Sequence, residues 1–113
     1  MTPQSFQRQK AMCEGTRVIS DMRLLQKEVA AFSDEKFPGQ SIDAKIAHLA
    51  DEVAELADKP SDGEEMADCL LLLAQIAEMQ GVDLMAEALK KLVKNKERVW
   101  GEADHRGVIK HVA

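Results

Sequence analysis

Leu70, Leu71, Leu72 and Leu73 stand in a row within a stretch bounded by the turn signal Pro60-Ser61-Asp62-Gly63 and by Gly81. If that stretch is a helix, four successive leucines cover every direction around its axis, and a helix apolar on all sides has to be surrounded. Few chains of 113 residues can do this alone. Three other short helices do not enclose it, so the expectation is an all-α chain whose exposed side is covered by a second copy. The composition agrees. Fifteen Ala and 11 Leu stand against 2 Thr, 3 Phe, 1 Trp and no Tyr, which leaves too few strand formers for a β-sandwich or barrel.

Phe37-Pro38-Gly39, Pro60-Ser61-Asp62-Gly63 and Gly81 with Asp83 divide the chain into four segments of helical length. The first is predicted over residues 3–32, with Val18, Met22, Leu25, Val29 and Phe32 on one face. The second runs over 41–57, capped by Ser41, with Ile42, Ile46, Leu49, Val53 and Leu56 at the same spacing. The third opens on a capping box, Ser61 as cap and Glu64 reaching back, and stops at Gly81. The fourth runs from Asp83 to Val99 or Trp100, closed by Gly101, and residues 101–113 read as a tail. One domain is expected over 1–113, with an N-terminal helix (1–32), a central set of helices (41–100) and the tail.

A net charge of −5 argues against a broad nucleic-acid surface. Cys13 and Cys69 are too far apart for a CxxC metal site and read as reduced thiols. No apolar run approaches the roughly 20 residues of a membrane span, and residues 1–20 lack a signal-peptide core. A cytoplasmic protein is expected, in the host cytoplasm if the chain is phage-encoded.

The acids carry the chemistry. Glu52 and Glu55 form Glu-x-x-Glu on the second helix; Glu65 and Asp68 form Glu-x-x-Asp on the third. Residues three apart share a helix face, and a short Pro/Gly turn makes the two helices antiparallel neighbours, so four carboxylates converge on one volume. Charges that close repel unless a cation lies between them, and oxygen ligands of this kind suit Mg²⁺ or Mn²⁺. Lys45, His48, Glu52 and Glu55 each precede a core position by one residue and so flank the core. A di-iron bundle is demoted, because no His stands three residues after any of these acids. On the fourth helix Lys91, Asn95 and Arg98 continue a line begun by Leu84 and Ala88, a stripe that turns from apolar to cationic and suits phosphate. Basic residues near a helix C-terminus also favour its macrodipole, so this stripe alone does not decide.

The order Glu-x-x-Glu, turn, Glu-x-x-Asp, then Lys91-Leu92-Val93-Lys94-Asn95-Lys96-Glu97-Arg98 resembles the MazG-like all-α nucleoside triphosphate pyrophosphohydrolases. His48-Leu49-Ala50-Asp51-Glu52, Glu65-Met66-Ala67-Asp68-Cys69 with the leucine run, Asn95-Lys96-Glu97-Arg98-Val99-Trp100 and Gly107-Val108-Ile109-Lys110-His111-Val112 are similar to its dATP/dGTP diphosphohydrolase branch, which includes the phage MazZ-type enzymes. The resemblance covers about residues 28–112.

It implies a four-helix MazG-like bundle, dimeric or tetrameric, that uses Mg²⁺ to cut nucleoside triphosphates, here dGTP or dATP, into monophosphate and pyrophosphate. Glu52, Glu55, Glu65 and Asp68 are the implied metal ligands, with Glu52 or Glu55 doubling as general base. Lys91, Asn95 and Arg98 are the implied contacts to phosphate or sugar oxygens. Water is the implied nucleophile; divalent metal lowers its pKa and offsets charge on the leaving pyrophosphate. His48 is placed to touch base or phosphate, or to be structural. Phe37 and Trp100 are candidates to stack on the base, Trp100 alternatively a dimer contact. His105 and His111 read as solvated. The competing reading is a non-catalytic helical dimer, an interaction module or nucleotide sensor, which loss of a carboxylate or of the Asn/Arg pair would mark. All are present.

Overall fold

Every helix starts on a side chain that accepts from an otherwise orphaned backbone N–H. In the computed structural model, which describes residues 21–113, Asp21 accepts from Leu24 N (3.2 Å) and opens α1, Met22–Lys36. Ser41 accepts from Ala44 N (3.1 Å) and opens α2, Ile42–Asp58. Asp62 accepts from Glu64 N (2.9 Å) and opens α3, Gly63–Met79. Asp83 accepts from Ala86 N (3.1 Å) and opens α4, Leu84–Glu97. The chain is a four-helix all-α fold with no β-strand among the described residues. No single described helix is long and apolar enough to cross a membrane.

Four boundaries differ from the sequence reading. α1 runs four residues past Phe32 and ends against the Phe37-Pro38-Gly39 turn; the predicted part before residue 21, with Cys13 and Val18, lies outside the described residues. Asp62, not Ser61, caps α3, because the shorter reach from Asp62 to Glu64 N is the one the turn makes. α4 stops at Glu97, where Arg98 turns to extended backbone. The tail then folds back: Gly101 N donates to Lys110 O (2.9 Å), Val112 N to Val99 O (2.8 Å), and Trp100 pairs with His111.

α3 is the central element, packed against both α1 and α2. The α3–α4 turn uses Gly81 at φ +67°, a backbone angle that suits glycine. Gln26 of α1, with no exposed surface, clamps that turn: its amide donates to Val82 O (2.7 Å) and its carbonyl accepts from Leu84 N (2.9 Å). The bent backbone therefore keeps its hydrogen bonds where water is excluded.

The apolar residues are distributed unlike those of a finished core. Among the described residues only Leu72, Ala74 and Ala77 are buried hydrophobics. Leu70, Leu71 and Leu73 are 41%, 37% and 42% exposed. On α2, Ile46 and Val53, expected inside, are half exposed, while Lys45, expected at the margin, is 4% exposed. α2 turns the line Ile42, Lys45, Leu49, Glu52, Leu56 toward its own chain and leaves Ile46 and Val53 outward.

Candidate functional site

α2 and α3 meet just beyond the Pro60 turn, and this contact gathers the acids. One oxygen from each of Glu52, Glu55 and Glu65 lies within 4.8 Å of the other two. Asp68, one turn after Glu65 on α3, stands outside that triple but close enough for its charge to act on Glu52. His48 Nε2 hydrogen-bonds Glu52 Oε1 (3.1 Å), one turn apart on α2, and fixes that carboxylate from the side. Glu52 Oε2 and Glu65 Oε2 are buried and have no hydrogen-bond donor.

Two shielded, acceptor-only oxygens without donors are costly, and a divalent cation is the partner that satisfies them together. The residues fit such an ion by donor type, closeness and orphaned lone pairs. Partial burial, followed by the charges of Glu55 and Asp68, raises the Glu52 carboxyl above its ordinary range, against a lowering from His48. Glu65 is raised by partial burial and then by Glu55. The Cys69 thiol beside them is pushed up by burial and by Glu52, Asp68 and Glu65, which keeps it protonated and unsuited to be a nucleophile.

A carboxyl whose folded pKa exceeds its unfolded value contributes stability that is complete below the unfolded pKa and lost as pH rises through the folded one. Asp104, lowered by Arg106, runs in the opposite sense, so a difference between variants is needed to isolate the cluster. Metal-free Glu65→Gln should melt above wild type near pH 8, with the gap closing toward about pH 4. Millimolar Mn²⁺ should stabilise wild type more than the variant. Calorimetry across pH reads both; a variant that melts below wild type at pH 8 without metal would refute repulsion within the cluster.

A pocket of about 230 Å³ opens beside the acids. Glu52 and Asp68 line one part of it; Phe37, Ser33, Lys45 and Gln75 line another. Phe32 and Phe37 meet edge to face, ring centres 6.1 Å apart. Phe37 and His48 thus border the pocket, as their candidacy requires. Ser33, Lys45 and Gln75 were not singled out for a site. Gln75 alone was legible, as a polar residue interrupting the apolar run from Leu70 to Ala77.

Lys91, Asn95, Arg98 and Trp100 lie elsewhere on the chain. None lines this pocket, and the charges that bear on Lys91 are those of Arg98 first and then Lys94, which together with partial burial lower its pKa. Arg98 Nη1 donates to His111 Nδ1 (3.3 Å), and Arg98, then burial, then Lys91 and Lys94 lower that imidazole's pKa. The tail histidine expected to be solvated is therefore held by the fold. No carboxylate among the described residues pairs with Lys91, Lys94 or Arg98, and Asn95 Oδ1 is buried without a donor. Cations crowded without a counter-charge form a surface that an anion relieves. Trp100 Nε1 donates to Asn95 O (2.9 Å), and its ring meets His111 edge to face.

An all-α chain that pairs an acid cluster on two antiparallel helices with an adjoining pocket defines a helical metal-site protein built for a small polyanionic ligand. Residues 25–113 match the family model of the dATP/dGTP pyrophosphohydrolases, and the chain belongs to that family. It is 36% identical over 90 residues to a dATP/dGTP diphosphohydrolase of Cyanophage S-2L, covering 78% of this chain and 85% of that protein. It is 35% identical over 107 residues to a dATP/dGTP diphosphohydrolase of Salmonella phage PMBT28, covering 93% of this chain but only 35% of that longer protein. Among solved structures, the Cyanophage S-2L MazG-like pyrophosphohydrolase bound to dGDP and three catalytic Mn²⁺ ions per active site superposes with a TM-score of 0.72 at 34% identity, covering 81% of this chain and 93% of that one. The resemblance read from the motifs is borne out.

Proposed function

We propose that this chain hydrolyses purine deoxynucleoside triphosphates, dGTP or dATP, to the monophosphate and pyrophosphate, with Mg²⁺ or Mn²⁺ held by Glu52, Glu55, Glu65 and Asp68. The observation that carries the proposal is the Glu52–Glu55–Glu65 cluster with its two orphaned buried oxygens, set at the edge of a pocket. Metal ions supply charge neutralisation and a readily deprotonated water at such a site. The chain's own part is to hold the triphosphate so that the α-phosphorus faces the acids. His48 holds Glu52 through its hydrogen bond, and Glu52 or Glu55 takes the proton from the attacking water. Lys91, Asn95 and Arg98 bind phosphate or sugar oxygens, consistent with their uncompensated charge and the orphaned Asn95 Oδ1.

Assembly belongs to the same reading. The exposed line Met66, Leu70 and Leu73, with Ile46 and Val53 beside it on the neighbouring helix, is too apolar to face water, and we assign it to contact with a second copy. A tetramer would extend the same use of exposed apolar surface.

The test is a panel of all ribo- and deoxynucleoside triphosphates with Mg²⁺, with and without chelator, and products separated by ion exchange. Purine deoxynucleotides should be cut fastest, to monophosphate, and chelator should stop the reaction. Turnover in excess chelator would refute the metal assignment; dCTP or dUTP cut ten times faster than either purine would refute the base assignment. Phe37→Ala should raise KM for dGTP by about tenfold, as expected for loss of one stacking surface, with metal affinity unchanged. Equal loss of metal binding in a calorimetric titration would contradict a stacking role.

A further inference from the structure

Two turns of helix separate each site carboxylate from a buried polar residue on the same element. Lys45 precedes Glu52 by seven residues on α2, and Gln75 follows Asp68 by seven on α3. Because the helices are antiparallel, both displacements run the same way, about 10 Å from the acids. All four residues line one pocket. With phosphates at the acids, the far part of the pocket is where the base comes to lie; this rests on the function proposed above.

The chemistry at that far part is one-sided. Lys45 is 4% exposed and makes no ion pair with any described carboxylate. Its ammonium donates to Ser33 Oγ (2.9 Å), itself on a 5% exposed residue, and lies 5.7 Å from the Phe37 ring centre. An ammonium has three donors and no acceptor, so after Ser33 it has hydrogens left for a ligand and can accept nothing. The Gln75 carboxamide, on a residue 5% exposed, has no hydrogen-bond partner among the described residues. Guanine and hypoxanthine present two adjacent acceptors, O6 and N7. Adenine presents N7 beside an amino group that donates. An unpaired buried donor facing another donor is the arrangement a binding site pays for most heavily.

We propose that Lys45, set in place by Ser33 and Phe37, reads the 6-position of the purine and favours 6-oxopurines over 6-aminopurines.

Four substrates separate the 6-position from the 2-position: dGTP (6-oxo, 2-amino), dITP (6-oxo), dATP (6-amino) and the 2,6-diaminopurine deoxynucleoside triphosphate. For wild type, kcat/KM should sort by the 6-position, dGTP and dITP exceeding the other two by about tenfold. Lys45→Met should lower the first two by about tenfold or more and change the last two by less than threefold. Lys45→Gln, whose amide can both accept from a 6-amino group and donate to N7, should shift the ratio toward dATP, an outcome that misfolding cannot imitate. Calorimetric binding of dGDP, dIDP and dADP to the same variants, with circular dichroism to confirm helicity, reads the same discrimination without turnover. Equal loss across all four substrates would mark Lys45 as a phosphate or structural residue and overturn the proposal. Sorting by the 2-amino group would overturn it as well. If no triphosphate is hydrolysed but the diphosphates still sort by the 6-position, the proposed reaction fails and the reading of Lys45 stands.

Discussion

Glu55→Gln should lower hydrolysis by about a thousandfold or more while leaving the helical content intact. The substitution keeps shape and removes one ligand charge from a cluster whose oxygens approach within 4.8 Å. Metal-assisted phosphoryl transfer depends on ligand charge and position, and loss of a group acting at the reacting centre characteristically costs several kcal/mol of transition-state stabilisation. Glu55 is also the neighbour whose charge raises both Glu52 and Glu65, so its neutralisation relieves repulsion in the metal-free protein. Activity and stability should therefore move in opposite directions. Steady-state rates, a Mn²⁺ titration and a metal-free melting curve check all three effects. A variant that retains a tenth of wild-type turnover, or that melts earlier without metal, would remove Glu55 from the cluster.

The second large effect is on assembly. Wild type should scatter light at twice the 12.5 kDa chain mass or more at micromolar concentration, and its melting temperature should rise with concentration. Leu70→Glu with Leu73→Glu should abolish both properties. Burying a leucine is worth about 1.5–3 kcal/mol, and in a symmetric dimer the double change acts on both copies. A chain whose buried hydrophobics are Leu72, Ala74 and Ala77 among the described residues has little else to lose. Loss of helicity at low concentration is thus the expected form of the failure. A wild-type monomer of 12.5 kDa whose melting is unchanged by the two glutamates would show that this face needs no partner.

The parts of the fold legible in the sequence are those governed by local chemistry. Ser41 and Asp83 cap the helices assigned to them, and Gly81 ends α3 where a left-handed residue is required. Local chemistry failed where two neighbours could do one job, as with Ser61 and Asp62, or where a long-range contact decides. α2 carries two stripes one residue apart, Ile42–Ile46–Leu49–Val53–Leu56 and Lys45–His48–Glu52–Glu55. Periodicity shows that such a helix is amphipathic but not which edge of the stripe its own chain covers. The chain covers the Lys45 side, because the acids must meet α3 there, and leaves Ile46 and Val53 outward.

The site follows the same division. The Glu-x-x-Glu and Glu-x-x-Asp spacings brought Glu52, Glu55 and Glu65 together because helix geometry and a short turn suffice to do it. Lys45 and Ser33 escaped notice because their contact joins α1 to α2, and no spacing within one helix encodes it. The tail was unreadable for a related reason. Its order rests on Trp100 and His111 pairing across ten intervening residues, with Arg98 against the imidazole.

The most direct test of the central claim, that the acid cluster directs water to the α-phosphorus, is hydrolysis of dGTP in ¹⁸O-labelled water with Mg²⁺, followed by mass spectrometry of both products. The expected result is one labelled oxygen in dGMP and none in pyrophosphate. Label in pyrophosphate, or release of orthophosphate in place of pyrophosphate, would contradict it.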